Sequence, residues 1–496
     1  MAKSFLSCSL FCLVLFIFIS SCKKDDLLTD SSAKLNFSES TILFDTVFVQ
    51  TGSATQVFTV INNNDKPVRI SSVWLAGGNS SYFRLNVNGI PGKSFTNVEI
   101  GANDSIYVFA EVTIPDPNSP STPFIVMDSI QFNLNGNIQQ VNLVAWGQRA
   151  HFHHAPANSG TLFFLNCNDV WTNDLPHVIY GYALVDSGCT LTINAGVNVY
   201  SHPSSGIVVL SSGTLKVNGT LTDPVTFQGD RLGFDFRDVP GQWYGIILSN
   251  LTHNYLVTGN RDIGRGTVNS SINYAIIKNG NVGLEVDTVF SPGATTLTLD
   301  NTIIKNMAGD GLVAQGSSVK ANNCVFANCG QYLTILNVGG NYRFLHCTFA
   351  NYWSQGDRQT PSIQMNNYNP VNSSLRPLDS AYFGNCIVYG SLDTEIGLDS
   401  AHNVPPGNFN FMFDHCLLKA DNTFPTVSPF HFNSIVLNSD PMFEDITNNI
   451  YKIGATSAAL DQGAIPITNL SPVLSTDLAG NPRPVGNPDL GAYEKQ

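Results

Sequence analysis

The sequence predicts an all-β protein in which a β-sandwich precedes a parallel β-helix solenoid. Three observations support this prediction. One short phrase of β-branched and aromatic residues occurs six times between residues 274 and 418. Several shorter, partly alternating hydrophobic segments, separated by turn sequences, occur between residues 34 and 149. Charged residues make up only 12% of the 496 residues, which is typical of a loop-rich, secreted all-β protein.

The six phrases have the spacing of a solenoid. Their second residues, which we call anchors, are Ala275, Thr302, Cys324, Cys347, Cys386 and Cys416. The differences between these positions are 27, 22, 23, 39 and 30, and intervals just above twenty with longer insertions indicate stacked coils. Side chains alternate across a strand, so the anchor and the residue two positions later share one face. We predict that this face is the interior. Its second positions are Ile277, Ile304, Phe326, Phe349, Val388 and Leu418.

Asparagine follows at a fixed position in four of the coils. These residues are Asn279, Asn306, Asn328 and Asn351. Asparagine tolerates the left-handed conformation that a tight corner needs. Stacked amides can also form hydrogen bonds from one rung to the next. We therefore predict that these four residues form corners of the coils.

Two stretches of the solenoid resemble a known family. Residues 339–353 (GGNYRFLHCTFANYW), and residues 229–231 (GDR) together with 240–246 (PGQWYGI), resemble the right-handed parallel β-helix lipoproteins of Bacteroidetes. The resemblance covers residues 160–494. It implies a right-handed, pectate-lyase-like β-helix over residues 160–496, closed by a C-terminal cap, and a place on the bacterial envelope. The family has no agreed activity, so the resemblance transfers no catalytic residue and no cofactor.

The N-terminus has the features of an export signal. We predict a lipoprotein signal peptide over residues 1–21, because Lys3 precedes an apolar run and residues 19–22 (ISSC) resemble the bacterial lipobox. A transmembrane anchor is the alternative, since the apolar run approaches spanning length. Lipidation of Cys22 would attach the chain to the outer membrane. Residues 22–33 are predicted to be a flexible tether, and their acidic start resembles the surface-export signal of Bacteroidetes lipoproteins. We therefore expect the protein on the cell surface.

Residues 34–149 are predicted to form an immunoglobulin-like β-sandwich. The order of their strands and turns resembles ASPM–SPD2–Hydin modules, which implies a spacer or an adhesive unit. Residues 150–159 are predicted to be a linker. Within them His151, His153 and His154 suggest either a metal site or a polar hinge, and we predict a hinge without metal because a zinc site would still need further ligands and a second shell.

The remaining cysteines have two predicted states. The anchors Cys324, Cys347, Cys386 and Cys416 are predicted to be reduced core residues rather than metal or redox sites, because stacked parallel strands give poor disulfide geometry. Cys167 and Cys189 are about one coil apart, and a disulfide between them suits an exported protein.

Carboxylates are the main candidates for catalysis. Asp287 and Asp310 are one repeat apart, but Asp310 lies in an ordinary turn sequence. A charged loop contains Asp230, Arg231, Asp235, Arg237 and Asp238, which are predicted to brace it. The aspartates of the closing segment, Asp440, Asp461, Asp477 and Asp489, are predicted to form turns rather than to bind calcium. We therefore predict no catalytic residue.

Binding has more support in the sequence. The longest interval contains five candidate ligand-binding residues, Tyr352, Trp353, Arg358, Tyr368 and Arg376, and a further loop lies over residues 402–411. Solenoid insertions often form the binding face, although these aromatics can equally serve to pack the insertion onto the coil.

The residue after each anchor should point outward, yet it is usually apolar. This stripe, Ile276, Ile303, Val325, Ile387 and Leu417, is a candidate docking surface for a protein partner unless part of the chain covers it.

Together these features predict a cell-surface lipoprotein that binds a glycan or an outer-membrane protein partner without catalysis. One alternative is a structural subunit of an outer-membrane assembly or transport complex. The other is a polysaccharide lyase or hydrolase. No cofactor is predicted, and the net charge of −13 argues against a nucleic-acid partner.

Overall fold

The computed structural model describes residues 26–116, 124–259, 263–288, 294–401, 408–421, 423–484 and 486–496, and these are almost entirely β. The chain divides into two units, Met1–Arg149 with Leu232–Phe234, and Ala150–Arg231 with Asp235–Gln496. The predicted boundary after residue 149 coincides with this division. The predicted signal peptide and Cys22 lie outside the described residues. Within the described ranges, no helix is both long and apolar enough to cross a membrane.

The first unit is a sandwich of two five-stranded sheets. One sheet contains, from edge to edge, β1 (Asn36–Phe37), β3 (Gln56–Asn62), β8 (Asp104–Val112), β5 (Phe83–Val87) and β6 (Ile90–Gly92). The other contains β2 (Thr41–Phe48), β10 (Asn137–Gln148), β9 (Phe124–Leu134), β4 (Val68–Leu75) and β7 (Ser94–Ile100). Phe132 of the second sheet meets Phe37 and Phe58 of the first, with ring centroids 5.0 and 6.5 Å apart. The apolar faces of the two sheets therefore form one core, as the alternation predicts.

The predicted flexible tether is corrected over its described part. The backbone N–H of Leu28 donates to the carbonyl of Pro67 at 2.8 Å. The Asn135 side chain donates to the carbonyls of Leu28 and Asp30 at 2.9 and 3.0 Å. Ala33 is buried. Residues 28–33 are therefore held against the sandwich, because side chains about a hundred positions later satisfy their backbone groups.

The second unit is a parallel β-helix. Its first sheet has eleven strands in the order β11 (His151–His154), β14 (His177–Tyr180), β17 (Asn198–Ser201), β20 (Val225–Gly229), β23 (Ala275–Lys278), β26 (Ile303–Met307), β28 (Val325–Cys329), β30 (Thr348–Asn351), β33 (Ile387–Gly390), β36 (Leu417–Leu418) and β38 (Val436–Leu437). Successive members pair in parallel, for example Ile276 with Ile303 and Lys278 with Lys305. Each coil of the solenoid therefore contributes one strand to this sheet.

A second sheet of seventeen strands forms the remaining faces of the coils. Its strands are β12 (Leu162–Phe164), β13 (Val170–Trp171), β15 (Tyr182–Val185), β16 (Thr190–Asn194), β18 (Gly206–Val209), β19 (Thr214–Asn218), β21 (Gly245–Leu248), β22 (Ser270–Asn273), β24 (Leu284–Val286), β25 (Leu297–Asp300), β27 (Leu312–Asn322), β29 (Thr334–Leu345), β31 (Ile363–Asn366), β32 (Leu378–Gly384), β34 (Ile396–Asp399), β35 (Phe409–Asp414) and β37 (Phe432–Asn433). The pair β39 (Phe443–Asp445) and β40 (Ile450–Ile453) is antiparallel. Helices α1 (His253–Thr258) and α2 (Ile465–Thr468) and the 3-10 turns Gly78–Ser80, Phe234–Phe236 and Pro472–Ser475 complete the described elements.

The predicted interior positions are buried. All six anchors and all six second positions have at most 1% of their surface exposed. Phe326 stacks on Phe349 at 5.0 Å, and a second aromatic column joins Phe344, Phe383 and Phe413 at 4.9 and 4.6 Å. The anchor cysteines are free thiols, and Cys329 is a fifth buried thiol that the repeat did not indicate. Burial raises the pKa of Cys324, Cys347 and Cys386, so these thiols stay protonated and unreactive.

Three of the four asparagines predicted to form corners of the coils do so. Asn279, Asn306 and Asn328 have positive φ angles of 64°, 57° and 49°, whereas Asn351 lies in β30 with extended backbone. A second corner, which the prediction missed, is the residue before each anchor. These residues, Tyr274, Asn301, Asn323, His346, Asn385 and His415, all have φ between 44° and 52°. The rung-to-rung amide bonds form at this second corner, because Asn323 donates to Asn301 at 3.1 Å and Asn301 to Asn273 at 3.0 Å.

The predicted linker over residues 150–159 is corrected. His151–His154 is the first strand of the eleven-stranded sheet and pairs with His177–Tyr180. His153 lies in a stack with Trp171 and His177, with ring centroids 4.5 and 5.2 Å away. These histidines thus belong to the first coil, where flat rings cover the solenoid core.

The predicted docking stripe is covered by the chain itself. Val325, Ile387 and Leu417 are buried, and Ile276 and Ile303 are half-buried. The cover is the closing segment, residues 440–494, which we call the strap. Its Tyr451, Leu478 and Ala492 pack with Val325, while its Ile453, Ala459 and Leu490 pack with Ile387 and Leu417. The docking prediction is therefore wrong, because the strap packs on Ile303, Val325, Ile387 and Leu417 and leaves only the half-buried Ile276 outside its contacts.

The strap also corrects the predicted C-terminal end cap. It runs along the side of the coils, where Arg483 donates to Asn323 at 2.8 Å and Ala492 N–H donates to Thr348 at 3.0 Å. Arg483 also forms a buried ion pair with Glu494. Asp477 accepts from the N–H groups of Asn481 and Glu494 at 2.7 and 2.9 Å, so its carboxylate shapes turns as predicted.

Candidate functional site

Three segments outside the regular coils meet over one corner column of the β-helix. They are the loop at residues 237–238, the start of the longest insertion at residues 352–355, and the strap turn at residues 446–449. Together with the corner they enclose a cleft of about 610 Å³. This volume lies in the range of about 300–1,000 Å³ that is usual for small-ligand sites.

Two corner asparagines hold the walls of the cleft. The Asn279 side chain donates to the Arg237 carbonyl at 2.8 Å and so holds the first loop. The Asn328 carbonyl oxygen accepts from the Tyr352 N–H at 3.0 Å, and its amide donates to the Asn449 side chain. The predicted corner asparagines therefore attach the insertion and the strap to the coils.

Asn306 lies between these two in the corner column and lines the cleft. Its side-chain amide makes no hydrogen bond to any other residue that the structure describes. An amide offers both donor and acceptor groups. Asn306 is therefore the corner residue whose polar group remains for a ligand.

Trp353 and Tyr352 form the aromatic side of the cleft. Trp353 is half-buried and packs against Gly330, where an added Cβ would lie 3.3 Å from the indole Cζ2. Its indole N–H has no hydrogen-bond partner among the described residues. Tyr352 instead packs on Phe443 of the strap, with ring centroids 6.2 Å apart, and burial raises the pKa of its hydroxyl. Trp353 thus remains for a ligand, while Tyr352 mainly supports the wall.

Lys278 and Lys305 line the cleft beside the corner. They are paired neighbours on adjacent strands, and burial lowers the pKa of both amines. The Lys278 ammonium donates to the Arg237 carbonyl at 3.4 Å. These lysines are not among the residues predicted from the sequence, although each lies three positions after its anchor. This equal offset from successive anchors indicates that the two lysines are neighbours on adjacent strands.

Arg358, predicted to bind ligand, is a structural residue. Its guanidinium forms a two-pronged ion pair with Glu395, at 2.9 and 2.7 Å, and both side chains are almost fully buried. The same group donates to the carbonyls of Thr360 and Asn351 at 2.6 and 3.1 Å. The prediction for Arg358 is therefore wrong, because the pair fastens the long insertion onto the next coil.

Tyr368 and Arg376 are not brought to this cleft. The Tyr368 hydroxyl donates to Asp399 at 2.5 Å, and the N–H of Arg376 donates to the Asn367 carbonyl at 2.8 Å. Arg376 is exposed. Of the five residues predicted to bind ligand, the structure therefore places Tyr352 and Trp353 in one site and leaves these two elsewhere on the insertion. The described part of the loop at 402–411 does not line the cleft either.

The carboxylates weighed for catalysis have local partners. Asp287 accepts from Ser249 and from the Asn250 N–H at 3.1 and 3.2 Å, and Asp310 accepts from the Tyr332 N–H at 3.0 Å. Burial raises the pKa of both, and also of nearby Glu285, which accepts from the Tyr244 hydroxyl at 3.2 Å. Both aspartates therefore fix turns, as the sequence suggested for Asp310.

The charged residues of the loop around residue 235 make individual contacts that hold the loop, and they do not form one cluster. Asp230 pairs with His202 at 2.7 Å, Arg237 pairs with Asp238 at 3.5 Å, and Arg231 lies over the Phe236 ring at 5.0 Å. Apart from Arg237 and Asp238, which pair with each other, its members thus have separate partners.

The histidines of the first coil interact with one another. His153 and His177 share a hydrogen bond of 2.9 Å, and His151 contacts Asp174 at 3.0 Å. Burial and neighbouring histidines lower the pKa of His153 to about 3, and burial lowers that of His177 to about 4. Within the described ranges, no three His, Cys, Asp or Glu side chains are grouped to hold a metal ion. Cys167 and Cys189 form a disulfide in the same region.

No protein-family model matches the chain, and no curated protein matches it. Among solved structures, it is similar to XylC in complex with xylose, with 10% identity, 91% of this chain, 87% of that chain and a TM-score of 0.35. The enzymatically active domain of bacteriophage CBA120 tailspike protein 2 gives 15% identity, 53% of this chain and a TM-score of 0.33, and this chain spans only 38% of it. A PapD-like domain of human CEP192 gives 11% identity, 27% of this chain, 98% of that chain and a TM-score of 0.18. Because these identities and TM-scores are low, the fold is assigned here from the strand pairing described above and not from the similar structures.

Proposed function

We propose that this protein is a lipid-anchored cell-surface protein that binds a glycan, without cleaving it, in the cleft around Trp353. The observation that carries the proposal is that two groups suited to a sugar line the same cleft. One is the half-buried indole of Trp353, and the other is the side-chain amide of Asn306, which has no hydrogen-bond partner among the described residues. A sugar ring offers an apolar face for the indole and hydroxyl groups for the amide. Ser354, Gln355 and Asn448 add further polar groups to the lining.

The composition of the cleft favours binding over hydrolysis. Hydrolysis of a glycosidic bond generally needs two carboxyl groups about 5–9.5 Å apart. Among the described residues that line the cleft, Asp238 is the only carboxylate, and it is paired with Arg237. The expected activity is therefore retention of a glycan at the surface.

A binding experiment with matched variants tests the proposal. Isothermal titration of the detergent-solubilised, full-length protein with neutral and acidic oligosaccharides should give saturable binding. Trp353→Ala should weaken it by about tenfold or more, because truncating a Trp that anchors a ligand typically costs about 2 kcal/mol or more. Tyr368→Phe, on the same insertion but outside the cleft, should leave the Kd unchanged. Equal binding by the Trp353 variant and the native protein would exclude the cleft as the site.

The same samples test the alternatives. Release of shortened or unsaturated oligosaccharides during incubation would favour a polysaccharide-active enzyme. Recovery of a stoichiometric outer-membrane protein with the native lipoprotein, together with no glycan binding, would favour a structural subunit. Loss of membrane attachment in Cys22→Ser would support the proposed lipid anchor.

A further inference from the structure

The cleft contains two lysines whose charges the chain neutralises only in part. Lys278 and Lys305 occupy paired positions on adjacent strands, and such strands lie about 4.8 Å apart. Their ammonium groups therefore repel each other, and partial burial lowers the pKa of both amines. An arrangement of this kind is unfavourable to the folded chain on its own.

The one carboxylate beside the lysines compensates them only in part, because Asp238 favours the charged form of both amines less than burial opposes it. The cleft is lined by Arg237, Asp238 and the two lysines, so its formal charge is the sum of three cations and one anion, or +2. Asp238 is paired with Arg237 at 3.5 Å. The Lys305 ammonium group makes no hydrogen bond or ion pair with any described residue. The chain as a whole is strongly acidic, with a net charge of −13, so this positive site is local.

The lysines also lie beside the two groups already assigned to a sugar. Asn306 directly follows Lys305 in the chain, and Trp353 faces the same cleft. A ligand seated on Trp353 would therefore bring its substituents toward the ammonium pair. An ammonium group is a compact charge with three donors, which suits the oxygens of a carboxylate or a sulfate.

We propose that the ligand is an acidic glycan, whose carboxylate or sulfate group binds between Lys278 and Lys305 while a ring stacks on Trp353. This inference depends on the proposed function and names the class of glycan. An acidic group would remove the repulsion between the lysines and form charge-assisted hydrogen bonds with both.

The test compares acidic and neutral probes on matched variants. The probes are oligogalacturonate for a carboxylate, κ-carrageenan oligosaccharide, which carries sulfate but no carboxylate, for a sulfate, and xylohexaose as the neutral ligand. Lys278→Gln with Lys305→Gln should weaken binding of the acidic probe by about tenfold or more, and leave the Kd for the neutral probe within about twofold. Lys278→Arg with Lys305→Arg should retain most of the affinity. Lys216→Gln, an exposed lysine on the other sheet, is the control for net charge.

The salt dependence of the Kd gives a second readout, because it compares how strongly NaCl weakens binding to the native protein and to the variant. Raising NaCl from about 50 to about 300 mM should weaken acidic-probe binding to the native protein, and much less so to the double Gln variant. Whichever acidic probe shows the larger effect identifies the carboxylate or the sulfate as the recognised group. Unfolding midpoints of all variants establish that each is folded.

The outcomes separate the two proposals. If Trp353→Ala weakens binding of all probes but the lysine variants bind acidic and neutral probes as the native protein does, the cleft binds glycan and the acidic preference is wrong. If neither Trp353→Ala nor the lysine variants change any Kd, or no probe binds, both proposals are wrong.

Discussion

Replacing Arg358 by Met should destabilise the β-helix while leaving glycan affinity unchanged. The Arg358 guanidinium makes two hydrogen bonds to Glu395 and one each to the carbonyls of Thr360 and Asn351. In the variant, the Glu395 carboxylate stays fully buried with neutral donors only, from Ser362 and the Leu392 N–H. Removing one member of a buried ion pair costs about 3–5 kcal/mol, because the other charge is left uncompensated.

Urea denaturation followed by tryptophan fluorescence measures this cost, with oligosaccharide titration of the same samples. The double variant Arg358→Met with Glu395→Gln should recover much of the lost stability, because no buried charge remains without its partner. A loss of less than about 1 kcal/mol in Arg358→Met would refute the structural role. So would a normal unfolding free energy together with tenfold weaker glycan binding, which would return Arg358 to the binding surface.

Three further predictions concern other parts of the second unit. Reduction of the Cys167–Cys189 disulfide, which closes a loop of 22 residues, should lower the free energy of unfolding by about 3 kcal/mol, seen as a lower thermal midpoint in reductant. Because the folded-state pKa values of His153 and His177 are lowered to about 3 and about 4, the unfolded chain takes up protons first as the pH falls below about 6.5. Stability should thus be highest above that pH and fall by roughly 3 kcal/mol by about pH 5.5. A flat profile, or the same slope in His153→Gln with His177→Gln, would contradict this. Ile387→Asp should cost about 3 kcal/mol or more in urea denaturation, since the strap buries this side chain, and native stability in that variant would show that the strap does not cover it.

The sequence predicts local features of this fold well because they repeat. The alternation within each phrase places Cys324 and Phe326 inside, and the repeated asparagine predicts left-handed corners at Asn279, Asn306 and Asn328. Each of these inferences needs only neighbouring residues and the period of a strand.

Contacts between distant segments could not be read in this way. Nothing in the phrase around Ile387 indicates that Leu490 packs over it, and the partner of Arg358 lies 37 residues further on. The outward stripe was therefore interpreted as a docking surface, and Arg358 as a ligand residue. The cleft itself depends on three separate segments, so the sequence could indicate Trp353 but not its neighbours. Lys278 and Lys305 could have been predicted, because each lies three positions after its anchor and adjacent strands therefore place them side by side.

The most direct test of the central claim is the Kd for an oligosaccharide in native protein, Trp353→Ala and Tyr368→Phe, measured by isothermal titration at one salt concentration. The cleft described here predicts that Trp353→Ala weakens binding by about tenfold or more, whereas Tyr368→Phe binds like the native protein. Binding that is unchanged in Trp353→Ala but reduced in Tyr368→Phe would move the site to the other end of the insertion and contradict the account.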